Sequence, residues 1–183
     1  MTTKAAKRAE LIERVAERLL AVGAAQIPLR DLAAELGTSD RMLLYYFRDK
    51  SDLVEASLEV IASRLSGMLD AVVPSVRAQP AELLLTLLAL LRSDAFTPAM
   101  TVWADIIARG NRGEEPFQRI AGYTVLRWLD WLEHRLDLGS VTERRDAAAA
   151  ILTIVEGARQ LEASAPGSTR QVGATLSRAF GNV

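Results

Sequence analysis

Residues 29–53, LRDLAAELGTSDRMLLYYFRDKSDL, constrain the fold more than any other stretch of the chain. Leu29, Leu32, Ala33 and Leu36 recur at three- and four-residue steps, which makes one face of a short helix apolar. Gly37 follows where a helix C-terminus wants a left-handed residue, because glycine has no Cβ to clash there. Ser39 can cap a second short helix predicted over 40–47, and Asp49, with Asp52 three residues on, can cap a third. Two short helices joined by a glycine-containing turn form a helix-turn-helix, in which the second helix enters a DNA groove.

The rest of the chain reads as helical too. Half of the 183 residues are hydrophobic and only 5% are aromatic. Alanine and leucine dominate, while β-branched runs are scarce, so the expectation is an all-α protein. A first helix is predicted over 5–22, with Ile12, Val15, Ala16, Leu19 and Leu20 on one stripe and Gly23 closing it. Gln26 and Ile27 lead to Pro28, since a residue before proline avoids helical backbone angles. A fourth helix runs from about 50 to 73, with Leu53, Leu58, Ile61, Leu65 and Leu69 inward and Pro74 ending it. Further helices are expected over 80–93, 97–110, 114–137, 142–163 and 169–180, leaving 110–116 and 164–168 as the loose segments.

The motif resembles the N-terminal DNA-binding domain of the TetR family of bacterial transcription regulators. The matching residues are Leu32, Ala33, Leu36, Gly37, Thr38, Ser39, Tyr45, Tyr46, Phe47, Lys50 and Leu53, without gaps from Gly37 through Phe47 to Lys50. The chain departs where members often have Gly-Thr-Leu-Tyr and it carries Arg41, Met42, Leu43 and Leu44, so an operator sequence does not carry over. The resemblance implies a head over 1–50, a helical effector-binding and dimerisation domain over 51–183, and about nine helices in all. It also implies a ligand-responsive repressor that binds a near-palindromic operator as a homodimer. The dimer would form through helices 114–137 and 142–163, and the effector would lodge among the fourth to eighth helices.

On a groove-bound helix the N-terminal residues face base edges. The DNA-contacting candidates are Thr38, Ser39, Arg41, Met42, Tyr45, Tyr46 and Lys50, with Leu43, Leu44 and Phe47 assigned to packing. Arg41 can pair with guanine, Met42 can touch a thymine methyl, and Lys50 begins a helix where a phosphate would sit. Lys4, Lys7 and Arg8 read equally as a solvated helix start or as a phosphate-touching arm. The effector candidates are Met68, Phe96, Met100, Trp103, Phe117, Tyr123 and Trp128, although Met and aromatic residues at helical spacing are more often plain core. Their apolar character suits an uncharged or amphipathic molecule. Asp105 and Arg109 could anchor it, but an ordinary helical ion pair is the simpler reading. Residues 117–136 carry Tyr123, Trp128 and Trp131, while 147–162 are apolar on more than one face, which calls for a second burial partner.

Charge and composition bound the alternatives. Residues 1–50 hold nine Lys/Arg against seven Asp/Glu, and the remainder thirteen against sixteen, so net +2 precedes net −3. No cysteine occurs, which excludes a disulfide framework and fits a cytoplasmic protein. His134 is the only histidine, no metal cluster or phosphate-binding glycine loop is readable, and Glu114-Glu115 sits where helix starts attract acids. The chain is therefore read as no enzyme, with no cofactor and no metal. The N-terminus lacks a signal-peptide core, and no apolar run approaches the roughly 20 residues that span a bilayer. The competing expectation is an all-helical dimeric interaction module that binds protein rather than specific DNA.

Overall fold

The computed structural model describes residues 3–23, 28–90 and 92–180. Among them are nine α-helices and no strand, only an isolated bridge between Ala78 and Leu136. The fold is all-α, with a helix-turn-helix at its start and a helical bundle after it. In order the helices are α1 Lys4–Val22, α2 Leu29–Glu35, α3 Asp40–Tyr46, α4 Lys50–Val72, α5 Pro80–Leu90, α6 Thr97–Gly110, α7 Phe117–Arg135, α8 Val141–Ser164 and α9 Val172–Phe180. The approach read over Gln26 and Ile27 lies outside the described residues. The chain packs as two compact units.

The first unit comprises Met1–Met68 and Pro98–Tyr123. Thr3 caps α1 by accepting from the Ala6 N–H at 3.2 Å. The buried stripe of α1 is Leu11, Ile12, Val15, Ala16 and Leu19; Leu11 replaces the expected Leu20, which is only half-buried. Also buried in this unit are Leu32, Ala33 and Leu36 from α2 and its end, Leu43 and Phe47 from α3 and its end, Leu53, Leu58, Ile61 and Leu65 from α4, and Val102, Trp103 and Ile106 from α6. Each Val, Leu, Ile or Phe side chain so buried contributes about 1.5–3 kcal/mol relative to exposure.

The turn between α2 and α3 is tied at both sides. Gly37 has φ 66°, its N–H bonds the Ala34 carbonyl at 3.0 Å, and the Thr38 N–H reaches back to Ala33 at 2.9 Å. This is the Schellman arrangement that satisfies the last carbonyls of a helix. Arg14 of α1 donates to the Leu36 carbonyl at 2.7 Å and to the Glu35 carbonyl at 3.2 Å, covering a helix end that has no basic residue of its own. Ser39 accepts from the Met42 N–H at 3.3 Å. Asp49 accepts from the Asp52 N–H at 2.8 Å, while Asp52 reaches back to the Arg48 N–H at 3.0 Å rather than to Asp49 itself.

The second unit comprises Leu69–Thr97 and Thr124–Val183. Its core joins Val73, Leu83, Leu84, Leu87, Leu88, Leu132, Leu136, Ala148, Ile151, Val155 and Ala158. A full capping box at Ser140 and Glu143 starts α8. The bridge is made by the Ala78 N–H to Arg135 and the Asp137 N–H to Ala78, both at 2.9 Å, and it pins the α4–α5 connection to the end of α7.

Two segments read as loose are in fact held by carboxylates. Glu114 pairs with Arg109 and Arg112, both at 2.7 Å, and closes the 110–116 loop. Glu162 accepts from the Gly167 N–H at 2.6 Å, the Thr169 N–H at 3.2 Å and the Thr169 hydroxyl. This last loop shortens the final helix to a start at Val172 rather than 169. The helix expected over 80–93 is likewise shorter: Arg92 is already in a turn and donates to the Thr169 carbonyl at 2.9 Å.

Candidate nucleic-acid interface

The face of α3 turned away from the first core carries Arg41, Met42, Leu44 and Tyr45. Met42 is 42% exposed, Leu44 51% and Tyr45 58%. Leu43 and Phe47 are buried as expected, but Leu44 is not: it lies one residue from the buried Leu43, about 100° round the helix, and so leaves the core face. The assignment of Leu44 to packing is corrected. Its spacing of three from Arg41 was the available signal, since residues three apart share a helix face.

The remaining candidates surround this face. Thr38 is half-buried at the turn, and Ser39 is exposed with its hydroxyl committed to the α3 cap. Tyr46 is half-buried and meets Tyr45 edge to face, ring centroids 5.0 Å apart. Lys50 is half-buried at the first position of α4. The Lys4 ammonium stands 4.2 Å from the Tyr45 ring centroid, so the N-terminal residues adjoin the α3 face. Lys7 instead pairs with Glu10 at 2.7 Å, and Arg8 lies over the Phe47 ring at 4.9 Å and 3.9 Å from Asp52.

Electrostatics set the arginines in place. The Arg48 backbone N–H, then the Arg48 side chain and the nearby Arg8, hold the Asp52 carboxyl below its ordinary range. Arg48 is thereby fixed just past α3 with most of its side chain in solvent, a cation the sequence reading did not single out. The hydrogen bond from Arg18 likewise lowers Glu35 and links α1 to α2. The result is an exposed helix face that mixes cations, hydroxyl donors and apolar groups, a composition able to meet phosphates, base edges and thymine methyls.

The effector candidates do not gather into one described cavity. Trp103 and Phe117 are buried and Met68 and Met100 half-buried in the first unit; Tyr123, also there, is exposed. Phe96 is buried and Trp128 half-buried in the second. Arg109 stacks on the Phe117 ring at 3.7 Å and pairs with Glu114. A crevice in the second unit, lined by Val73, Val76, Arg77, Leu83, Thr86 and Arg135 among others, offers about 150 Å³ and includes none of the seven. Ligand pockets usually span roughly 300–1,000 Å³, so this crevice is small for an effector.

The later helices leave apolar groups outside. Tyr123 and Leu126 on α7, and Val141 and Leu161 on α8, are exposed. Ala149, Ala150, Thr153 and Gly157 of α8 are exposed on the same helix. Among the described residues no group of three His, Cys, Asp or Glu could hold a metal ion, and no helix is long and apolar enough to cross a membrane.

A sequence model described as bacterial regulatory proteins, tetR family, matches residues 12–57. That segment contains the helix-turn-helix and the start of α4. The head is similar to that family. For the whole chain, the fold is similar to the crystal structure of a protein described as a TetR-family transcriptional regulator from Rhodococcus sp.. The TM-score is 0.65 at 18% identity, over 97% of this chain and 97% of that one. The ketosteroid transcriptional regulator KstR2 of Mycobacterium tuberculosis aligns over 96% of this chain and 94% of its own at 19% identity, with a TM-score of 0.43. No curated protein matches the sequence significantly.

Proposed function

We propose that this chain is a TetR-family repressor: a homodimer that binds a near-palindromic DNA operator and is released by a small apolar or amphipathic effector. The observation that carries this reading is the coincidence of the family match over 12–57 with a folded helix-turn-helix whose α3 turns Arg41, Leu44 and Tyr45 to solvent. Residues 1–50 serve as the head and 51–183 as the effector-binding and dimerisation domain. Thr38, Ser39, Arg41, Met42, Tyr45, Tyr46 and Lys50 meet the DNA. The exposed apolar groups of α7 and α8 support a twofold interface, since the exposed Leu126 and Leu161 would be buried there. Met68, Phe96, Met100, Trp103, Phe117, Tyr123 and Trp128 are the residues we assign to effector binding, and the protein acts in the cytoplasm without catalysing a reaction.

Release follows from a shift in population: the effector stabilises a dimer whose heads no longer match successive major grooves, roughly 34–36 Å apart or a multiple of that. The test is a selection from genome fragments with purified protein at near-physiological salt, followed by binding of the recovered sequence at several salt concentrations. Recovery of a near-palindrome, with affinity falling steeply as salt rises, supports the reading. A folded dimer that enriches no sequence and binds with shallow salt dependence overturns it in favour of a protein-interaction module.

A further inference from the structure

The crevice of the second unit is bounded by the α4–α5 connection, by Leu83 of α5 and by Arg135 of α7. The Ala78 N–H donates to the Arg135 carbonyl and the Asp137 N–H to the Ala78 carbonyl, both at 2.9 Å, which fastens that connection to the end of α7. The Gln79 side chain adds a donor to the Asp137 carboxylate at 3.3 Å. The crevice is thus built before any ligand arrives, which lowers the ordering cost of binding. Val73, Val76 and Leu83 give it apolar surface, while Arg77 and Arg135 bring two guanidinium groups to it.

Neither arginine is fully used. Arg135 lies against the Trp131 ring at 3.9 Å and donates to Asp70, yet its buried Nε has no hydrogen-bond partner among the described residues. A buried donor left unpaired is costly, and an added acceptor relieves that cost. Arg77 is exposed and pairs with no carboxylate among the described residues. Glu82, the acid on the lining, is exposed in the first turn of α5, where the helix N-terminus offsets its charge. The volume of about 150 Å³ is too small for the effector proposed above and suits a benzene-sized molecule of about six non-hydrogen atoms. We propose that the crevice binds a short-chain aliphatic carboxylate, with its carboxylate on Arg77 and the Arg135 Nε–H and its alkyl chain against Val73, Val76 and Leu83. Inorganic phosphate would meet the cations but leave the apolar surface uncovered. The proposal does not depend on the DNA-binding reading, and the failure of either leaves the other standing.

The test titrates the full chain with sodium acetate, propionate, butyrate and hexanoate at constant ionic strength, following the arginine Nε–H signals by NMR. Affinity should rise by up to about fourfold per added carbon from acetate to butyrate, the value of a buried CH₂ at 0.8 kcal/mol. It should level off by hexanoate, which outgrows the volume. The Arg135 Nε–H signal should shift on binding, and butyramide, which lacks the charge, should not bind. Arg77→Ala should weaken butyrate binding about tenfold. Val76→Asp, which sets a negative charge at a site 75% exposed, should abolish it. Both positions are exposed, so both variants should melt like wild type, which a thermal scan checks. An affinity independent of chain length, phosphate binding as tight as butyrate, or a butyrate response that both variants keep overturns the proposal. So does the absence of saturable butyrate binding by wild type.

Discussion

Substituting Gly37 tests whether the turn between α2 and α3 is set by backbone handedness alone. Its φ of 66° lies in the left-handed region, and a Cβ built there meets nothing within 4 Å. Steric conflict with neighbours is therefore absent, and the cost of Gly37→Ala is the left-handed penalty of an L-residue, about 1–2 kcal/mol. In a chain of this size that is roughly 2–8 °C in melting temperature. Gly37→Asn should cost clearly less, because asparagine visits this region with the help of its short polar side chain. Gly23 provides the contrast. At φ 81° and ψ 177° it occupies a region that essentially only glycine adopts, and a Cβ there would come within 2.6 Å of Asp105 Oδ2. Gly23→Ala should cost more than Gly37→Ala, and Gly23→Asn should give no relief. Urea melts of the four variants followed by circular dichroism measure these differences. If Gly37→Asn is as damaging as Gly37→Ala, backbone handedness is not what selects glycine at the turn.

Lys50→Ala should weaken binding to all DNA sequences alike and reduce the magnitude of the log–log salt slope by about one; an unchanged slope takes Lys50 off the phosphate-contact list. Arg41→Ala should relax base preference at particular positions, and a uniform loss across sites would make it a phosphate contact instead. Glu162 gives a pH prediction. Its carboxyl is held below the ordinary range first by the Thr169 hydroxyl, then by the Gly167 and Thr169 N–H groups. A depressed folded pKa contributes stability that is present above the unfolded value of about 4.3 and is lost as pH falls through the folded pKa. The melting-temperature gap between wild type and Glu162→Gln should thus be widest from pH 5 to 7 and narrow below about pH 4. A gap constant from pH 3 to 7 would show that the charge is not involved. Leu126→Glu, at a site 66% exposed on α7, should shift the sedimentation profile toward monomer without lowering monomer helicity; an unchanged dimer places the interface elsewhere.

Much of the head was legible from local chemistry. Ser39 as a cap, Gly37 as a left-handed stop and Asp49 at the start of α4 depend on groups within five residues of one another, so spacing alone determines them. The all-helical class followed from leucine and alanine periodicity for the same reason. Helix ends were less legible where a distant partner decides them. Arg92 lies in a turn and reaches Thr169 instead of extending α5, and the final helix starts late because Glu162 organises 167–169. Arg14 closing α2 across 22 residues, and Ala78 bridging to Leu136, left no mark in any local pattern.

The candidate interface divides in the same way. That Arg41 and Tyr45 share a face with Leu44 was implicit in a three- and four-residue spacing, yet which face points inward depends on how α3 rolls against α2 and the rest of the first core. Burial of Leu43 and Phe47 sets that roll and leaves Leu44 outside. The sequence by itself determined the helices, their caps and the turn, because these are contests between neighbouring groups. Only the tertiary structure decided which stripe of α3 meets solvent and what holds the loops, because those depend on surfaces brought together from far along the chain.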